Sequence, residues 1–488
     1  MSPYAIPAIV AVTLITVVIG AYGLRLARTT SDFLVASRVI SPTWNAAAIG
    51  GEYLSAASFL GVAGLILKDG VTMLWYPVGF AAGYLALMLF VAAPLRRSGA
   101  YTLPDFCEIR LGSRRLRKLA TAFVVFIGWL YLVPQLQGAG LTLHTVTGAP
   151  YWLGAVVVGV VVAGNVALGG MRSVTFVQAF QYWLKLTALA VPVVLVLQHW
   201  RADGQPRVAA PNSSWLVPGH EGLFSTYSLI LATFLGTMGL PHVLVRFYTN
   251  PDGRAARRTT LVVLALVGGF YFFPTLYGVL GRVYTPHLLA TGATDTVVLV
   301  LPSAVLGGGT LGQVMSALVA AGAFAAFLSS SSGLMTSVAG VLSTDVLGRG
   351  SVRDFRLSAL VSGLVPLVLA LEVSGLEVSR VVGLAFAVAA SSFCPLLVLG
   401  IWWRGLTDVG AAAGIVAGGG AALAAVTVTV LKPPLHGWAA VLVGQPAAWT
   451  VPLAFAVMVA GSLATRRRVP PGVAQTMLRL HAPDALRL

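Results

Sequence analysis

Charge is what this sequence has least of. Of its 488 residues, 9% are Asp, Glu, Lys or Arg, against about 25% in an ordinary soluble domain. Apolar residues make up 57% and the mean hydropathy is +0.88. A water-soluble fold of this length cannot use that much apolar surface, so that class is excluded. Cysteine is nearly absent. Cys107 falls in a basic loop and Cys394 inside an apolar run, which argues against a structural disulfide. Acidic residues are scarce, 15 against 31 Lys and Arg, for a net charge of +16. Such a balance invites a nucleic-acid reading. The positive charge is not a patch, however; it is dealt out along the chain in short loops between apolar runs. No Gly-rich phosphate loop with its Lys and no His-Glu-x-x-His pair occurs, and no loop is long enough for a separate soluble domain. A pump driven by ATP would need such a module, which argues against primary transport by this chain alone.

What is present is a series of apolar runs. A spanning helix needs about 20 mostly apolar residues. Thirteen runs qualify, at 3–24, 42–67, 71–95, 119–143, 150–169, 175–198, 224–245, 259–281, 313–343, 357–374, 378–402, 409–431 and 447–465; they are spans 1–13 in chain order. The first ends in Arg25 and Arg28 with no small-residue cleavage site, and reads as a retained anchor. Lys and Arg set the orientation. With the N-terminus outside, 24 basic residues fall on inner loops and tail and six on the outer side, Lys185 alone lying within a span. Between spans 8 and 9, the apolar stretch 296–306 reads as a short helix over an outer vestibule.

Transporters place their sites at broken helices in matching positions of inverted repeats. Span 2 carries Gly50, Gly51, Gly61 and Gly64; span 7 carries Gly236, Gly239 and Pro241. They lie five spans apart, and an odd offset makes the repeat inverted. Glycines also serve close helix packing, so each alone proves nothing. Intramembrane charge is confined to Glu52 on span 2 and Lys185 on span 6, at similar depth. An isolated charge in lipid is costly, so the two are expected to pair as a structural ion pair. No Arg is expected inside the membrane, and a carboxylate would then be held by helix N-termini, hydroxyls and amides. Span 9 contains Ser329-Ser330-Ser331-Ser332. One or two could bond back to the preceding turn; four cover every side of the helix, and those facing inward can ligate a hard cation such as Na⁺. Tyr131 and Gln135 on span 4, and Ser391 and Ser392 on span 11, are neutral donors on apolar walls. His242, next to Pro241, reads first as a structural hydrogen-bonder and second as a proton relay.

These stretches resemble the solute:sodium symporter family and, within it, the cation/acetate (monocarboxylate) symporters. The resemblance covers roughly residues 30–430. It rests on Gly51-Glu52-Tyr53-Leu54-Ser55-Ala56-Ala57-Ser58-Phe59-Leu60-Gly61, Tyr101-Thr102-Leu103-Pro104-Asp105, Gly138-Ala139-Gly140, Gly169-Gly170-Met171, Gly239-Leu240-Pro241-His242 with Arg246-Phe247-Tyr248-Thr249, and Val382-Gly383-Leu384-Ala385-Phe386-Ala387. It implies an all-α integral membrane protein of about thirteen transmembrane helices with a five-plus-five inverted-repeat (LeuT-like) core working by alternating access. The expected division is an N-terminal peripheral helix (1–30), a first repeat of spans 2–6 (31–200), a second of spans 7–11 (201–405), peripheral spans 12–13 (406–466) and a cytoplasmic tail (467–488).

The resemblance also implies Na⁺ as coupling ion, held by carbonyls of Gly51, Leu54 and Ala326 and hydroxyls of Ser329 and Ser330. A small monocarboxylate anion would be bound by Tyr53, Ser55, Ala56, Phe59, Tyr131, Gln135 and Thr237. Thr175-Phe176 stands before Val177-Gln178 where proline and sugar members carry an Asp, so a second sodium-linked carboxylate is missing. The expectation is a Na⁺/monocarboxylate (acetate-, propionate- or pyruvate-like) symporter of the bacterial cytoplasmic membrane. Its N-terminus is outside, its C-terminus cytoplasmic, and its surroundings are the lipid bilayer, with no nucleic acid and no obligatory protein partner. The alternatives are proton coupling through Glu52 or His242, or another small organic solute. A solute sensor would want an output domain, and a membrane enzyme would want clustered His, Asp or Cys; the seven histidines are scattered.

Overall fold

The computed structural model describes residues 3–24, 30–208, 213–217, 222–348, 351–372, 378–431 and 435–483. Arg25, Arg28, Arg349, Lys432 and Arg487, all counted in the charge split, lie outside the described residues. Those described form helices and connecting loops, and eleven of the helical runs are long and apolar enough to cross a membrane. Two of the eleven are about twice the length a crossing needs. One runs over 57–97 and breaks at Gly70 (φ +75°); the other, Tyr151–Ala202, breaks at Gly170 (φ +57°). Only glycine adopts such a backbone at low cost. Split there, the two runs supply spans 2 and 3 and spans 5 and 6, and the thirteen expected crossings are recovered. The short stretch between spans 8 and 9 is also helical, Val297–Leu306, and packs against both.

Packing sorts the core helices into two groups. Spans 2 and 3 pack with spans 7 and 8, and spans 4 and 5 with spans 9 and 10. Each group takes the same members from both halves of the chain, as an internal repeat demands. Span 1 lies against spans 5–6 and 9, while span 13 packs on spans 7, 11 and 12. Small residues let the groups meet closely. A Cβ on Gly51 would stand 2.2 Å from the Gln178 carbonyl oxygen of span 6, and one on Gly322 of span 9 would stand 2.3 Å from Ala188 of span 6.

On the expected inner side, Thr102 and Asp105 form a capping box at the start of helix Leu103–Leu111, as such a pair does at helix N-termini. Arg117, at the start of span 4, bonds Asp105 (2.6 Å), Glu108 (2.7 Å) and Asp345 at the end of span 9 (2.5 Å). Burial still holds the Asp105 carboxyl above the ordinary range despite that guanidinium. Both cysteines are buried and free. Near the C-terminus, helix Val473–His481 docks by burying Met477 and Leu480, and His481 Nε2 meets the Ile401 carbonyl (2.9 Å).

Candidate cation and solute site

Span 2 is broken between two helices. Pro42–Tyr53 ends with the Leu54 N–H bonded to the Gly50 carbonyl (3.1 Å), Leu54 itself is non-helical (φ −75°, ψ 80°), and a π-turn runs over Ala57–Gly61. Such a break frees carbonyls that lipid cannot satisfy. Span 7 breaks in the matching place. Leu223–Gly239 ends, Leu240 is extended (φ −71°, ψ 115°), and Pro241–Val245 follows. Pro at the first position of a helix suits this join, since its missing N–H would be unpaired there anyway.

The freed carbonyls of span 2 are met by side chains. Ser329 Oγ donates to the Gly51 carbonyl (2.7 Å), with the Ala326 carbonyl also in reach (3.0 Å). Ser330 Oγ donates to the Glu52 carbonyl at 2.5 Å. Lys185 Nζ donates to the carbonyls of Gly51 and Leu54 (2.7 Å for the second) and to Ser329 Oγ (3.0 Å). Three of the five groups expected to hold Na⁺ therefore converge on a lysine nitrogen. A fourth, the Ala326 carbonyl, accepts from Ser329, and the fifth, the Ser330 hydroxyl, is turned to Glu52. The residues come together in one cradle, but as arranged they do not fit a sodium ion, because the Lys185 nitrogen stands among them.

Glu52 has a different partner from the one expected. Its carboxylate accepts from Arg246 Nε at 2.6 Å, with both side chains fully buried. Arg246 also donates to Thr175 Oγ1 (2.8 Å) and to Gln178 Oε1, and Gln178 Nε2 donates to the Ser329 carbonyl (2.7 Å). Asn45 Nδ2 holds the Arg246 carbonyl (3.1 Å). So Glu52 and Lys185 are neighbours, not a pair, and an arginine is present in the core after all. The physical reason is reach. Arg246 follows a five-residue helix at the end of span 7, and its long side chain returns into the interior, where the carboxylate is the strongest acceptor. Thr175, in the place of the missing Asp, serves as one of its acceptors. Gly333 makes room for the carboxylate, since a Cβ there would stand 2.1 Å from it.

Beyond the break lie the residues expected to meet solute. Tyr53 Oη and Thr237 Oγ1 are bonded (2.8 Å), which ties the two broken spans together. The Ala56 N–H donates to Gln135 Oε1 (2.9 Å), and Ser55 lies against the Tyr131 phenol. Tyr53 packs on Tyr84 (4.7 Å), Phe80 (5.6 Å) and Phe386 (6.1 Å), and Tyr131 on His242 (5.3 Å) and Phe386 (5.8 Å). Among the described residues, Tyr84 Oη and His242 Nδ1 are buried with no hydrogen-bond partner. Phe59 is not in this group; it packs on Phe270 (6.4 Å) and beside Gly322. Tyr84, Phe80, Phe386 and, stacked on Phe80 at 5.7 Å, Tyr271 were not expected here. No charge or spacing marks them in sequence, although Phe386 sits in one of the stretches quoted for the resemblance.

A cavity of about 350 Å³ opens beside residues 68–72, lined by Lys68, Thr72, Tyr76, Arg380 and Leu384. Tyr76 of its lining packs on Phe80 (6.0 Å), which packs in turn on Phe386 (5.0 Å) and Tyr53. Toward the opposite side, the space between Thr102, Pro241 and Thr336 is about 10 Å³. Helix Val297–Leu306 does not line the larger cavity.

Known proteins agree with this architecture. A sialic acid symporter coupled to Na⁺, solved in a substrate-bound outward-open state, superposes with a TM-score of 0.71 at 16% identity, over 96% of this chain and 98% of that one. MhsT in complex with L-phenylalanine superposes with a TM-score of 0.56 at 15% identity, over 87% and 99%. In sequence, the monocarboxylic acid transporter of Corynebacterium glutamicum is 31% identical over 485 residues, 88% of this chain and 86% of its own length. An uncharacterized symporter of Bacillus subtilis, YwcA, is 31% identical over 422 residues, 83% of this chain and 82% of its own. The profile of the sodium:solute symporter family matches residues 33–418. These are transporters, not enzymes, and this chain, with its multi-pass membrane fold, belongs to the sodium:solute symporter family.

Proposed function

We propose that the protein is a symporter that takes up a small monocarboxylate, of the acetate, propionate or pyruvate size, by alternating access in the cytoplasmic membrane. The observation that carries this reading is the charge balance of the core around the break. Glu52 is neutralised by Arg246, and Lys185 is bonded only to neutral oxygens. On the reading that Lys185 is protonated, two cations against one anion leave one positive charge, and a buried charge without a counter-ion is costly. A solute with a single carboxylate supplies the missing negative charge. One with two supplies too much, and a neutral one supplies none. The groups around Tyr53 fit a short anion: Ser55, Tyr131 and Tyr84 as hydroxyl donors, Ala56 as a small wall, and Gln135 and Thr237 holding the two broken spans. The kinship with a monocarboxylic acid transporter supports the same class of solute.

Family membership supports Na⁺ as the coupling ion, and so does the fold shared with a Na⁺-coupled symporter. A proton is the second reading, favoured by the position of Lys185 in the cradle. The orientation proposed puts the N-terminus and the vestibule beside residues 68–72 outside. The test is uptake of labelled acetate into proteoliposomes with unlabelled competitors and with sodium and pH gradients imposed separately. Propionate and pyruvate are expected to compete. Succinate competing at the concentrations at which propionate does would overturn the substrate class.

A further inference from the structure

Lys185 Nζ occupies the place where a coupling ion is expected, and its bonds suit a cation. The carbonyl oxygens of Gly51 and Leu54 can only accept. The Ser329 hydroxyl has the Gly51 and Ala326 carbonyls in reach as acceptors (2.7 and 3.0 Å); with its proton on either of them, its oxygen accepts from Lys185. Three oxygens around one nitrogen match the three N–H donors of an ammonium, whereas a neutral amine would have to take the Ser329 proton on its lone pair. The nitrogen is fully buried, with no carboxylate among its bonded partners. The close approach of span 6 at Gly51 and at Gly322 is what brings the lysine stem within reach.

We infer that Lys185 is the resident cation of the cradle between spans 2 and 9, and that sodium does not bind there. The contact an ion would make and break on each cycle is tethered to span 6 by a side chain. Any sodium the carrier uses binds elsewhere. A sodium ion brought to within about 4 Å of this ammonium would meet repulsion that lowers its affinity about a thousandfold at an effective dielectric near 20. Removing the ammonium while keeping the carbonyls and the hydroxyl should turn the cradle into a sodium site.

The experiment measures thermal unfolding of the purified full chain in NaCl and in choline chloride of equal ionic strength, for the wild type, Ser329→Ala, Lys185→Ala and Lys185→Ala with Ser329→Ala. The inference expects no sodium-specific stabilisation of the wild type that depends on Ser329. It expects Lys185→Ala to gain a saturable one that the added Ser329→Ala removes. A wild-type sodium stabilisation abolished by Ser329→Ala overturns the inference, and so does a folded Lys185→Ala protein that sodium leaves unmoved. Should Lys185→Ala fail to fold, the comparison of wild type with Ser329→Ala still decides. The inference rests on the symporter reading only for a parallel uptake measurement, in which Lys185→Ala becomes sodium-dependent. Failure of the wild type to take up any monocarboxylate would sink the substrate reading and leave the binding measurement standing.

Discussion

The bond between Glu52 and Arg246 carries a prediction that separates two arrangements of the same charges. Arg246→Met removes a guanidinium that makes three bonds to side chains, to Glu52, Thr175 and Gln178. It strands a carboxylate with no exposure to solvent. Breaking a buried pair by removing one partner costs about 3–5 kcal/mol, a shift of roughly a hundred- to several thousandfold in the folded-to-unfolded ratio. Glu52→Gln should cost a similar amount, since it strands the arginine. The double variant Glu52→Gln with Arg246→Met removes both charges. What it leaves is a set of hydrogen-bonding groups short of partners, worth about 1–3 kcal/mol each. The double variant is therefore expected to be more stable than Arg246→Met alone, with a coupling energy of about 3 kcal/mol or more. Thermal unfolding of the purified proteins in one detergent reads this directly. Glu52→Gln with Lys185→Met is the control. Lys185 is not bonded to the carboxylate, so this second pair should show no rescue. Rescue by Lys185→Met, or a Glu52→Gln/Arg246→Met protein as impaired as the sum of its singles, would refute the pairing.

Three further outcomes are expected. Gly51→Ala and Gly333→Ala should each abolish transport or folding, because their Cβ atoms would stand 2.2 Å from the Gln178 backbone oxygen and 2.1 Å from the Glu52 carboxylate; Gly164→Ala, with nothing within 4 Å, should be silent in the same uptake and melting assays. Cysteines placed at 200–208 should react with an impermeant reagent from outside sealed cells, and cysteines at 98–117 should not; labelling of the second set would reverse the topology. If one cation accompanies each monocarboxylate, no net charge moves, and a potential supplies its roughly 2.3 kcal/mol per 100 mV only to charge that moves, so uptake should be nearly blind to an imposed potential and strong stimulation would reveal a further cation.

Much of the architecture was legible because lipid imposes it. Backbone groups must be satisfied inside each span, so apolar length reports crossings and clustered Gly and Pro report breaks. The thirteen runs follow from that constraint, and the Gly and Pro of spans 2 and 7 mark the neighbourhood in which the fold breaks, at Leu54 and Leu240. The four serines of span 9 mark an inward polar face in sequence, read there as ligands for a cation; in the fold Ser329 and Ser330 donate to the freed carbonyls of span 2. The partner of Glu52 was not legible. Hydropathy assigns a residue by the depth of its backbone, and Arg246 lies past the apolar part of span 7, so it counted as loop charge. Only the fold shows the side chain reaching back. The packing of Phe59 on Phe270, away from Tyr53, has a local reason. The π-turn over Ala57–Gly61 inserts an extra residue into the helix, which rotates the face that regular spacing would present.

The placement of Lys185 follows from a competition that sequence cannot resolve. A buried ammonium seeks oxygen, and the core offers it a carboxylate and a row of unpaired carbonyls a few residues apart. Arg246 reaches the carboxylate with a planar fork that also spans Thr175 and Gln178, and an ammonium cannot match that geometry. The lysine is left with the carbonyls that the break in span 2 exposes, which is where a coupling cation would otherwise be needed. The break thus sets the charge of the core as well as its shape. On the proposed reading it creates acceptors that hold a cation without neutralising it, and the positive charge that remains would be the feature that selects an anion as solute.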